Sequence, residues 1–230
     1  MLRQSYKRRF NVAEMYDALV FVPRAALSLI NNRKNSIVDI HLVERLQLAV
    51  TEVNGCAACS YAHTKMALRE GMSGEEIASF LSGSTDFIRP EEAKAIIFAQ
   101  HFADTGGHPK SYAYDSLVDE YGSESAQIML SAAQVMLAGN VYGIPLSAFQ
   151  SRLRNMPFPD SSLPYELGML AVGPAILPIA SIGQVPRSGV GDPREGWSSL
   201  QPQADSCCSA QALFVVGQMD RVKHLSKLFV

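Results

Sequence analysis

The sequence predicts an all-α protein. From residue 12 to about residue 156, apolar side chains recur at three- and four-residue spacing, and strand-like alternation is nowhere sustained. Capping and stop signals cut this stretch into helix-sized pieces. With 47% hydrophobic and 18% charged residues among 230, the chain can build one large core without disulfides or metals to hold it. Twenty basic against twenty-two acidic residues leave a formal charge of -2, which gives no field to gather nucleic acid. No nucleic-acid partner is expected.

The first helix is expected over roughly Ala13 to Asn31, bent at Pro23 and closed by the polar run Asn31 to Asn35. The second, about Asp39 to Val53, carries Val43, Leu46, Val50 and Val53 on one face and stops at Asn54-Gly55. A third starts with Cys56 and Cys59 and runs to about Glu70, before Gly71. Ser73 and Glu76 have the spacing of a capping box for a short helix through Leu81. Pro90 suits a first helical position and opens a helix that ends at Gly106-Gly107. Two more follow, Ser111 to Tyr121 and Ser123 to about Asn140, and a separate turn or two over Pro145 to Leu153 completes the block.

Beyond Met156 the composition changes, since eight of the twelve prolines lie between Pro157 and Pro202. Residues 12–156 therefore read as one helical domain and 157–230 as a C-terminal extension. Leu163 to Ile182 is apolar apart from Glu166 and a few small polar residues. A membrane span needs about 20 apolar residues, but Glu166, Pro174 and Pro178 argue against a free span and against one straight helix. Packing on its own core or on a partner subunit is expected instead. Residues 184–206 have the composition of a loose linker, and Leu213 to Val230 that of a short terminal helix. Lys7, Arg8 and Arg9 are followed by Glu14, Asp17, Pro23 and Arg24, which an export signal would not carry. With only four cysteines, a reducing cytoplasm is the expected location.

The residues that carry chemistry lie at the second helix boundary. If the helix begins near Asn54, Cys56, Cys59 and His63 fall at positions i, i+3 and i+7 on one face. A thiol of pKa about 8.5 is only roughly 3% thiolate at pH 7, so a reactive one needs help. The helix start favours an anion at Cys56, whereas His63 stands one turn from Cys59 and can take its proton. Two thiols so placed can also close a disulfide after one is oxidised. His63 in turn needs a partner to fix its tautomer, and Glu44 and Glu52 are the nearby carboxylates. The same residues with Met66 also suit a packed core stripe, because free cysteine is among the most buried residue types. Zinc on Cys56, Cys59, His63 and a carboxylate is the weaker alternative, since zinc sites usually draw ligand pairs from separate turns.

Glu44, then Asn54-Gly55-Cys56-x-x-Cys59-x-x-x-His63-Thr64, resembles the core motif of the alkylhydroperoxidase-D-like proteins in the carboxymuconolactone decarboxylase superfamily. The resemblance continues through Ala67, Leu68, Gly71 and Ser73 to Glu76, then more loosely to about Leu153. It implies a helical fold assembled as trimers or hexamers, and a dithiol that reduces peroxides or disulfides without a bound cofactor or metal. It selects Glu44 as the carboxylate acting through His63 and a water, Cys59 as the activated thiol and Cys56 as the resolving one. A dithiol-donating redox protein is the implied partner. The best-known peroxidases of the family carry a second histidine between the cysteines, where this chain has Ala57-Ala58, so the expectation moves toward a thiol-disulfide reductase. The family's decarboxylase branch typically lacks the cysteine pair, which argues against lactone decarboxylation. An interaction protein with a vestigial dithiol is the alternative from another class.

Other residues are read as structural. His41 and His224 are expected at the surface, His101 packed, His108 in a loop, and Tyr61 either near the thiols or packed. Adjacent Cys207 and Cys208 do not suit a mutual disulfide and are read as surface thiols.

Overall fold

In the computed structural model, which describes residues 6–183, the apolar periodicity becomes nine α-helices, with no strand among the described residues. They are α1 (Val12–Val20), α2 (Val22–Asn35), α3 (Ile40–Asn54), α4 (Ala57–Arg69), α5 (Gly74–Ser82), α6 (Ala93–Asp104), α7 (Ser111–Tyr121), α8 (Ser123–Leu153) and α9 (Leu163–Gly183). The all-α prediction holds, and the ends of α3, α5 and α7 fall within a residue or so of the sequence signals. The linker 184–206, the terminal segment 213–230, Cys207, Cys208 and His224 lie outside the described residues.

Four expectations are corrected. The first helix is two, because the chain breaks at Phe21 and Pro23 falls in the first turn of α2, where its missing N–H costs no hydrogen bond. Asn11, unnoticed in the sequence, starts α1 with a full capping box to Glu14. Pro90 opens a single 3₁₀ turn, Pro90–Glu92, ahead of α6. The third correction is α8, which runs unbroken through Pro145 to Leu153 instead of stopping near Asn140. Pro145 removes one intrahelical bond, but it is buried among the core residues of α8, where packing outweighs local propensity. This helix is long and apolar enough to cross a membrane, yet 83% of its apolar window is buried in the protein, as in a core helix. Finally, α9 is one helix with Pro174 and Pro178 inside it, both on its exposed face.

Tertiary contacts explain why α9 persists. It packs on α1 and α8. Gly173 lies so close to Tyr142 of α8 that a Cβ there would sit 2.8 Å from the ring. The Arg152 guanidinium at the end of α8 donates two bonds, of 2.7 and 2.8 Å, to the fully buried Glu166 carboxylate. Arg152 holds that carboxyl below its ordinary range.

Around these helices runs an N-terminal strap. Lys7 Nζ donates to the Glu52 backbone carbonyl in the last turn of α3 and to its carboxylate. Arg8 donates to the carbonyls of Ala103 and Asp104 at the end of α6. Arg9 stacks over the Tyr165 ring at 4.0 Å. Two of the three cations of the basic run thus satisfy carbonyls at helix C-termini, which the helix dipole favours.

Candidate dithiol site

The break between α3 and α4 builds the site. Gly55 ends α3 with φ 72°, and the Lys7 side chain occupies the place a Cβ would take, so the position requires glycine on both counts. The chain then turns into α4 with Cys56 as its N-cap, one step before the helix and not inside its first turn as the sequence suggested. Cys56 Sγ accepts the Cys59 backbone N–H at 3.2 Å, the role a serine or aspartate oxygen usually fills. Cys56 and Cys59 are joined as a disulfide, with Cα atoms 5.3 Å apart.

His63, one turn beyond Cys59, brings Nδ1 to 3.1 Å from Glu44 Oε2. Glu44 comes from α3 and is 2% exposed. With the carboxylate as acceptor, Nδ1–H donates, and Nε2 keeps its lone pair for a proton. Glu52, the other carboxylate considered, is engaged by Lys7 instead. Neighbouring Arg45 is also buried; it binds Glu76 at 2.7 Å and Glu92 at 2.9 Å and so anchors the Glu44 turn of α3 to α5 and the 3₁₀ turn. Burial pushes the Glu92 carboxyl up, against the pull of Arg45.

The two cysteines differ in access: Cys56 is fully buried and Cys59 is 8% exposed. Met66 is exposed, so the cysteine, histidine and methionine positions do not form one continuous core stripe. His41 instead donates from Nε2 to the Glu70 carbonyl at the end of α4. Tyr61 is exposed beneath the Lys65 ammonium. Half-buried His101 accepts from the Lys110 amide at 3.5 Å, and burial lowers its pKa.

The opposite wall belongs to α8, which sequence reading left out. Gly143 faces both sulfurs, Cys59 Sγ lies 3.4 Å from the Gly139 carbonyl, and Ser147 Oγ accepts the Ala58 N–H at 3.0 Å. The one trace in the sequence is a pair of glycines a helical turn apart inside an apolar helix, which signals close packing.

Fold and site together define an all-helical protein whose Cys-x-x-Cys disulfide lies one turn from a histidine–carboxylate pair. Residues 25–101, from α2 into α6, match the model of the carboxymuconolactone decarboxylase family. The superfamily resemblance drawn from the motif is thereby borne out. No curated protein and no solved structure matches the chain.

Proposed function

We propose that the protein is a thiol-dependent oxidoreductase whose Cys56–Cys59 pair reduces small disulfides, with peroxides as the second substrate class. The observation that carries this reading is the buried Glu44 carboxylate bonded to His63 one turn from Cys59. A histidine so oriented takes the Cys59 proton. The resulting thiolate attacks one sulfur of a substrate disulfide, forms a mixed disulfide and releases the first substrate thiol. Cys56 then attacks Cys59, releases the second thiol and leaves the Cys56–Cys59 disulfide. With a hydroperoxide, Cys59 would become a sulfenic acid with loss of an alcohol, and Cys56 would displace water from it.

The re-reduction step also fits. An incoming donor thiolate reaches the more exposed Cys59 sulfur, and Cys56 leaves as a thiolate that keeps the Cys59 N–H. That bond and the helix start stabilise the leaving thiolate. Electrons would come from a dithiol-donating partner protein. Ala57-Ala58 in place of a second histidine favours disulfides over peroxides as substrates.

Burial of both sulfurs favours a second reading, an interaction protein with an inert dithiol. The two are separated by treating the reduced native protein with dilute hydrogen peroxide or an oxidised small-molecule disulfide. Free thiols at positions 56 and 59 are then counted by alkylation and mass spectrometry. Reversible passage from two thiols to one disulfide supports the enzyme; thiols that react only after unfolding overturn it.

A further inference from the structure

We infer that Gly143 of α8 is a positioning residue of the dithiol, and that the absence of a side chain there sets the balance between the disulfide and the two thiols. The inference rests on the reading of the pair as a reversible redox couple. A Cβ at Gly143 would stand 2.7 Å from Cys56 Sγ and 2.7 Å from Cys59 Sγ, with Ala58 Cβ at 3.9 Å. Both sulfurs are thus seated on one bare stretch of helix backbone. The seat is fixed: the Gly143 carbonyl accepts from Ser147 Oγ at 2.7 Å, and the same hydroxyl takes the Ala58 N–H. The first turn of α4 is therefore tied to α8 one turn from the glycine, and the two cannot separate freely.

This geometry acts unequally on the two redox states. In the disulfide both sulfurs are bonded to one another and neither can leave the seat. In the dithiol each side chain is free to rotate about its Cα–Cβ bond. A methyl group at position 143 therefore crowds the disulfide more than the dithiol, and overpacking of this kind is costly in a close-packed interior.

The test is the equilibrium of the full chain with reduced and oxidised dithiothreitol. In it one dithiothreitol dithiol and one protein disulfide exchange for one cyclic dithiothreitol disulfide and two protein thiols. The peptide carrying Cys56 and Cys59 is read by alkylation and mass spectrometry. Gly143→Ala should shift the equilibrium toward the dithiol by about tenfold or more. Gly168→Ala, a helical glycine of α9 with nothing within 4 Å, should leave it unchanged. An unshifted Gly143→Ala, or an equal shift in Gly168→Ala, overturns the inference. If Gly143→Ala does not fold, Cys56→Ala in the same chain removes one of the two sulfurs and should restore folding; a double variant that stays unfolded also overturns it. Should the wild-type pair itself fail to exchange, the redox reading falls, and the seat is then judged on the folding of the two variants alone.

Discussion

Cys56 and Cys59 are three residues apart and meet opposite surroundings. An N–H points at the first sulfur and a carbonyl oxygen lies near the second. A helix N-terminus is worth up to about 2 kcal/mol to an anion in a partly buried geometry, which favours Cys56 as the resting thiolate. The His63–Glu44 pair and the greater exposure favour Cys59 as the attacking one. On the proposed mechanism, reduced protein alkylated at pH 6.5 should be labelled faster at Cys59, and faster labelling of Cys56 would reverse the roles. Glu44→Gln keeps the shape of the side chain but removes the charge that stabilises an imidazolium. It should leave the helical circular dichroism unchanged and move the pH profile of Cys59 alkylation upward; an unmoved profile removes Glu44 from the relay.

At the scale of elements, side chains that answer two demands explain where capping rules bend. Ser73 Oγ accepts the Glu76 N–H at 3.1 Å, as its spacing promised. The Glu76 carboxylate binds Arg45, so the pattern serves both the cap of α5 and the anchoring of α3. Ser73→Ala should cost about 1 kcal/mol in chemical denaturation. The attachment of α9 depends on Glu166, which accepts from Arg152 and, at 2.5 Å, from Ser161 Oγ. Ser161 Oγ in turn meets the Tyr6 hydroxyl, whose pKa burial pushes up to about 12. Because the folded pKa of Glu166 lies below its unfolded value, its contribution is complete above about pH 4.5 and is lost as pH falls through the folded value. Glu166→Gln should lower Tm at pH 7 and flatten the fall of Tm on acidification. Equal slopes in variant and wild type would show that Glu166 does not carry the acid sensitivity.

For the whole molecule, the question is how far α9 belongs to the helical block that precedes it. Tyr165 donates to the Phe10 carbonyl, and the Tyr6 ring meets the rings of Phe158 and Tyr165 edge-on. A chain ended after Met156 would lose these contacts and the partner of Arg152, and should melt at a lower temperature than the full chain. An unchanged Tm would mean that α9 adds nothing to the stability of the block. Exposed apolar side chains on α2 (Leu27, Ile30) and α4 (Tyr61, Met66, Leu68) suit burial between subunits. The homo-oligomer implied by the family resemblance should appear in sedimentation as a trimer or hexamer at micromolar concentration, and a monomer there would refute it.

Sequence alone determined the helical class, most helix ends and the spacing that brings Cys56, Cys59 and His63 together. Those features are written in local terms: period, caps, glycines and positions one turn apart. Tertiary structure decided what local rules could not. Pro145, Pro174 and Pro178 read as interruptions because each removes a backbone bond, yet both helices continue: Pro145 is buried in α8, and Pro174 and Pro178 lie on the exposed face of α9 while the helix packs on α1 and α8. Likewise the spacing left Glu44 and Glu52 as equal partners for His63; the family resemblance pointed to Glu44, and the packing of α3 against α4, with Lys7 engaging Glu52, supplies the physical reason. Gly143 lies 84 residues beyond Cys59 and was invisible beside it, because contact between helices distant in the chain follows from how their faces pack and not from any pattern within either one.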